Sequence, residues 1–124
     1  MKNDNIIQQK SFAFAIRIVN LYKYLTTEKK EFVLSKQLLR SGTSVGANIE
    51  ESIGGQSDKD FISKISIAYK EARESMYWLK LLQATDYLTK EQAESLLADA
   101  EEICRIIGKI QITLKNRNTK SITN

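Results

Sequence analysis

The chain has 124 residues, of which 42% are hydrophobic and 27% are charged, and its formal net charge is +4. This length and composition fit one globular domain with one core and exclude the low-hydrophobicity compositions of disordered proteins. Proline is absent and only five glycines occur, so the residues that punctuate β-rich folds are scarce. We therefore expect a single all-α domain over residues 1–124.

Several sequence features indicate the cellular location of the protein. No apolar run approaches the ~20 residues that a membrane-spanning helix needs, and the first ten residues lack the apolar region of a secretory signal. The single cysteine, Cys104, cannot form an internal disulfide, which suits a reducing compartment. We expect a cytoplasmic protein that does not bind membranes.

The first helix is predicted over about residues 5–26, where Phe14, Ile18, Leu21 and Leu25 recur at intervals of three and four. A second helix is predicted to open near residue 31, after a short polar connection. Each of these segments has one apolar face, which is typical of helices that pack side by side around a common core.

Residues 41–47 of the second helix read Ser-Gly-Thr-Ser-Val-Gly-Ala, a composition that favours a loop because each glycine in a helix interior costs about 1 kcal/mol relative to alanine. However, Leu38, Gly42 and Val45 keep the helical spacing through this run. We therefore predict one continuous helix that ends at residues 54–55. Gly42 and Gly46 are predicted to lie close to another helix.

Capping signals mark the starts of the last two helices. Ser57 is the predicted N-cap of the third helix, and Asp58 follows it in the first turn, where the helix dipole favours negative charge. Thr89 and Gln92 have the spacing of a capping box at the start of the fourth helix. Both helices then repeat apolar residues at intervals of four and three.

The fourth helix is predicted to end at about residue 116, leaving residues 117–124 as a frayed basic tail. Connections of about four to six residues force successive helices to run antiparallel. The predicted architecture is therefore an antiparallel, up-down-up-down four-helix bundle.

Most catalytic chemistry is excluded by composition. The chain has no histidine, which removes imidazole bases, Ser-His-Asp triads and histidine zinc sites. The run from Gly42 to Gly46 lacks the Gly-Lys-Ser/Thr ending of a phosphate loop. We expect no enzyme activity, no cofactor and no metal.

One enzyme hypothesis stays open, a magnesium site for nucleotide hydrolysis. Its carboxylates would be Glu50, Glu51, Glu71 and Glu74, since magnesium prefers oxygen ligands. The second acidic pair that such a site needs on the following helix is missing. The favoured alternative is that Glu74 pairs with neighbouring cations such as Lys70 or Arg73, and that residues 50 and 51 are solvated.

The basic residues are the stronger functional signal. All 15 acidic residues lie before position 109, whereas positions 109–124 contain only basic charges. The candidate contacts to a nucleic-acid backbone are Lys109, Lys115, Arg117 and Lys120, with Lys10 and Arg17 on the first helix. The alternative is that the tail only keeps the protein soluble and complements the negative end of the fourth helix.

Two segments carry a resemblance to a known family. They are Leu38–Glu51 (LLRSGTSVGANIEE) and Asp60–Glu74 (DFISKISIAYKEARE). They resemble the four-helix bundle proteins encoded in 23S ribosomal RNA intervening sequences, and the similarity spans roughly residues 10–112. Many members have proline where this chain has Gly46.

The resemblance implies a four-helix bundle that forms a homo-oligomer, specifically a pentamer, and it supplies no catalytic motif. A related accessory protein of diversity-generating retroelements binds nucleic acid and a reverse transcriptase through a basic surface. We therefore expect a non-enzymatic, oligomeric accessory protein that binds an RNA or DNA backbone through a basic rim. The alternatives are a protein–protein scaffold that binds no nucleic acid and, third, the magnesium-dependent hydrolase.

Overall fold

Four helices form the part of the chain that the computed structural model describes, which is the backbone of residues 2–123 and the side chains of residues 6–117. They are α1 (Lys2–Thr27), α2 (Leu34–Ile53), α3 (Asp58–Ala84) and α4 (Lys90–Thr123). Each helix packs against the next, and α4 returns to α1. The predicted all-α, antiparallel four-helix bundle is confirmed.

The core lies along the axis of the bundle, where the apolar face of each helix turns inward. Phe14 and Ile18 of α1 pack there with Val45 of α2, Leu79 of α3 and Ile107 of α4, and all five side chains are fully buried. Burying a side chain of this size contributes about 1.5–3 kcal/mol. In the described helices, no segment is both long and apolar enough to cross a membrane.

The glycine-containing middle of α2 is helical throughout, as its spacing predicts. It is also the place where α1 comes closest to α2. A Cβ atom built on Gly42 would lie 2.7 Å from Cγ1 of Ile18, and one built on Gly46 would lie 3.3 Å from the backbone oxygen of Ser11. The missing side chains therefore permit the close contact of α1 with α2, which confirms the predicted role of both glycines.

The start of α2 differs from the prediction, because the helix begins at Leu34 and residue 31 serves as its cap. Lys30 adopts a left-handed conformation with φ 55°. The Glu31 carboxylate then accepts hydrogen bonds from the backbone N–H groups of Leu34 and Ser35 at 3.0 and 2.7 Å. Glu31 is only 7% exposed. Burial raises its pKa, but the backbone hydrogen bonds prevail and hold the pKa below its ordinary value.

The other predicted caps are confirmed. Ser57 Oγ accepts a hydrogen bond from the backbone N–H of Asp60 at 3.1 Å. At the start of α4, the backbone N–H of Thr89 donates to Gln92 Oε1 at 2.9 Å, and the N–H of Gln92 donates to Thr89 Oγ1 at 3.1 Å. These bonds satisfy backbone donors that the first turn of a helix leaves without partners.

The end of α4 corrects the prediction, because the helix continues to Thr123 instead of ending near residue 116. No glycine or proline follows Gly108, so the sequence contains no residue that would stop the helix. The side chains of residues 118–124 lie outside the described residues.

Alanine substitution is expected to have opposite effects at two helical glycines. No described atom lies within 4 Å of a Cβ added to Gly108. Gly108→Ala should therefore stabilise the protein by about 0.4–1 kcal/mol, because alanine lowers the conformational entropy of the unfolded chain. At Gly42 the added atom overlaps Ile18, whose β-branched side chain has one preferred rotamer in a helix. Gly42→Ala should therefore destabilise by about 1–3 kcal/mol.

Chemical denaturation of both variants measures the difference. If Gly42→Ala proves as stable as Gly108→Ala, the contact between α1 and α2 is not tight and the account of residues 41–47 fails.

Candidate nucleic-acid interface

Two of the predicted contacts, Lys10 and Arg17 of α1, face acidic residues of α4. Lys10 forms a salt bridge with Glu102 and, by this hydrogen bond and its charge, holds the pKa of that carboxyl below its usual range. Arg17 Nη1 lies 2.5 Å from Asp99 Oδ2, and its Nη2 donates to Ser95 Oγ at 2.9 Å. Their charges are thus compensated locally, and both residues connect α1 to α4.

The predicted contacts near the C-terminus lie on α4. Lys109, Lys115 and Arg117 are all exposed, and no acidic residue follows position 102. Arg117 lines a surface groove together with Asp58 at the start of α3. Lys120, the remaining predicted contact, falls among the residues whose side chains are not described. This end of α4 therefore adds positive charge close to the start of α3.

A further cationic surface, which the sequence analysis missed, lies on the outer face of α3. We call it the α3 outer stripe, and its residues recur at intervals of four and three. They are Lys59, Ser63, Ser66, Lys70, Arg73, Tyr77, Lys80 and Ala84. The stripe carries four basic residues, all exposed, and no acidic residue. Within the described part of the chain, none of these four cations forms a salt bridge.

Two acidic residues of α3, Glu71 and Glu74, lie beside the stripe on the side that faces α2, and both are paired with Arg40. Arg40 Nη1 lies 3.2 Å from Glu71 Oε2, and its Nη2 contacts Glu74. Trp78 Nε1 donates to Glu74 at 3.0 Å. This hydrogen bond, together with Arg40, lowers the pKa of Glu74 against the opposing effect of burial.

The sequence analysis expected Glu74 to pair with Lys70 or Arg73, and this expectation is wrong. Glu74 lies one helical turn after Lys70, but its carboxylate contacts Arg40 of α2 instead. Arg73 is instead near Cys104 of α4. Burial raises the pKa of this thiol, and the guanidinium of Arg73 partly offsets the shift. Within the described side chains, the four cations of the stripe therefore form no salt bridge with the acidic residues of their own helix.

The carboxylates considered for magnesium have other partners. Glu71 and Glu74 both contact Arg40. Glu50 Oε1 accepts a hydrogen bond from Gln8 Nε2 at 2.7 Å, and Glu51 Oε1 lies 3.5 Å from Lys64 Nζ. Among the residues with described side chains, no group of three or more acidic or cysteine residues could hold a metal ion.

Exposed apolar side chains mark a different surface, on α1. Phe12 is 66% exposed and Ile16 is 49% exposed, and one helical turn separates them on the same face. Phe12 also lines a largely apolar groove between α1 and α2, together with Ala15 and Ala47. Side chains of this kind on a small bundle are candidates for contact with another protein chain.

Two comparisons with known proteins give matches. The family model described as 23S rRNA-intervening sequence protein matches residues 3–109. Among solved structures, the crystal structure of a protein with unknown function from the S23 ribosomal protein family of Bacteroides thetaiotaomicron is similar, with 56% sequence identity and a TM-score of 0.86. The match covers 87% of this chain and 96% of that chain. The curated proteins give no significant match.

Proposed function

The chain belongs to the 23S rRNA-intervening sequence protein family, and on this premise we propose that it is a non-enzymatic, homo-oligomeric accessory protein that binds the backbone of nucleic acid. The proposal depends mainly on one observation, the unpaired cations of the α3 outer stripe. Phosphate groups attract such cations without regard to sequence, since each contact releases condensed counterions. We place this activity in the cytoplasm, in keeping with a single free cysteine.

The α3 outer stripe and the end of α4 are neighbouring parts of one surface. Gln111 Nε2 of α4 lies 3.5 Å from Ser66 Oγ of the stripe, so these two positions adjoin. Lys115 follows Gln111 by one helical turn on the same side of α4. We call the combined area the basic surface, and it consists of the α3 outer stripe with Lys115 and Arg117.

Self-association would increase the effect of this surface. Each copy contributes only a few phosphate contacts, and a ring of identical copies multiplies them through avidity. The family resemblance implies a pentamer, and the exposed Phe12 and Ile16 offer an apolar surface for contact between copies. The same side chains favour the second candidate function, a protein–protein scaffold without nucleic-acid binding.

Charge substitutions on two helices should separate specific contacts from general electrostatics. Lys70→Gln with Arg73→Gln removes one lysine and one arginine from the basic surface, and Lys10→Gln with Arg17→Gln removes the same residue types from α1. With a labelled single-stranded RNA of about 20 nucleotides, the first variant should bind more weakly. The slope of log affinity against log salt should fall by about 1.4, because each lost phosphate contact removes about 0.7.

Fluorescence anisotropy between about 50 and 200 mM salt measures both slopes, and the α1 variant should keep the wild-type value. Equal losses in the two variants would show that the basic surface has no special role. If the wild-type protein does not bind at low salt, the nucleic-acid proposal is wrong and the scaffold becomes the better candidate.

A second pair of variants tests where copies of the chain meet. Phe12→Ser with Ile16→Ser removes the exposed apolar residues of α1, and Phe32→Ser with Ile112→Ser removes the same residue types at other exposed positions. If α1 forms the contact, the first variant should associate about tenfold more weakly or worse, because truncating central interface residues costs on the order of 1 kcal/mol or more each.

Light scattering over a range of protein concentrations measures the effect as a shift in mass. A monomeric wild-type protein would contradict self-association, and dissociation of the control variant alone would place the interface away from α1.

A further inference from the structure

An aromatic residue lies within the row of cations on the basic surface. Tyr77 follows Arg73 by four positions and precedes Lys80 by three, so the three side chains share one face of α3. Tyr77 is 58% exposed, and the core beneath it is filled by its buried neighbours Met76 and Leu79. The exposed ring is therefore available for a ligand.

The ring of Tyr77 contacts the ring of Trp78 beside it. Its centroid lies 5.0 Å from that of Trp78, and the two rings meet edge to face at 74°. Trp78 is itself fixed by the hydrogen bond from Nε1 to Glu74, and Glu74 is fixed by Arg40 of α2. A side chain that is already restricted loses less conformational entropy when it binds. The network from α2 thus prepares Tyr77 as a fixed stacking surface.

We propose that the basic surface binds single-stranded nucleic acid, with an unpaired base stacked on Tyr77 and phosphates bound by Lys70, Arg73 and Lys80. This inference rests on the proposed function and adds the class of ligand. In a duplex the faces of the bases are buried in the stack, so an exposed tyrosine gains nothing from them. In a single strand every base has a free face, and stacking on an aromatic side chain depends little on sequence.

The dimensions of the site suit such a strand. From Lys70 to Lys80 the helix rises about 15 Å at 1.5 Å per residue, and Lys59 extends the row of cations further toward the end of α4. A cationic path combined with an aromatic side chain on which a base can stack is the arrangement by which proteins bind single strands.

The test compares Tyr77→Ala with Tyr77→Phe, because phenylalanine keeps the ring. The probes are a labelled oligouridylate of about 20 nucleotides, a backbone of the same length without bases, and a duplex of the same length. Tyr77→Ala should bind the oligouridylate about 5- to 100-fold more weakly, whereas Tyr77→Phe should match the wild type. Neither variant should change binding to the abasic strand or the duplex. Melting curves of both variants verify folding.

Each other outcome is decisive. If Tyr77→Ala weakens all three probes equally, or weakens none, the stacking site is overturned, while salt-dependent binding by the wild type leaves the proposed function standing. If Tyr77→Ala binds all three probes as tightly as the wild type does, the exposed ring is better explained as a contact for a protein partner. If the wild type binds none of the probes at low salt, both proposals fail together.

Discussion

The close contact of α1 with the glycine-containing middle of α2 is the constraint on which the rest of the bundle depends. At Gly42 and Gly46 there is no side chain to hold the two helices apart, and Ile18 and the backbone of Ser11 occupy the space. This contact fixes the depth of α1 in the bundle and buries Phe14 and Ile18 in the core. It also brings the polar side of α1 within reach of α4.

Salt bridges connect the helices that this packing brings together. Lys10 and Arg17 of α1 pair with Glu102 and Asp99 of α4. Arg40 of α2 pairs with Glu71 and Glu74 of α3. Such exposed pairs contribute little to stability individually. Their main consequence is electrostatic, because the acidic residues at the helix contacts are compensated there. Within the described side chains, the cations of the α3 outer stripe have no such carboxylate partner.

The sequence predicted the fold in detail because the relevant signals are local. The intervals of three and four, the capping box at Thr89 and the phase through Gly42 depend only on neighbouring residues, and the structure confirms each of them. The errors arose where a side chain's partner lies on another helix or where no stop signal exists. The start of α2 was predicted near residue 31, whereas Glu31 caps the helix through bonds to the N–H groups of Leu34 and Ser35, and α4 was predicted to end too early.

The charge partners of the predicted contacts were not predictable from the sequence for the same reason. Counting charges along the chain selected Lys10 and Arg17, but only the packed helices show that Glu102 and Asp99 lie opposite them. The regular spacing of Lys70, Arg73, Tyr77 and Lys80 was available in the sequence. It is the complement of the core pattern of α3, which the apolar residues alone define. The carboxylates nearest to these cations, Glu71 and Glu74, contact Arg40 of α2 instead. That contact between two helices is not visible in the sequence.

The most direct test of the central claim is ultraviolet cross-linking of the wild-type protein to single-stranded RNA, followed by mass spectrometry of the linked peptides. Cross-linking requires close contact between a base and a side chain, so it locates the strand without any substitution. The account predicts that the linked peptides contain Tyr77 and the neighbouring cations of α3, with further links near the end of α4. Links confined to α1, or the absence of links under conditions where the RNA binds, would contradict it.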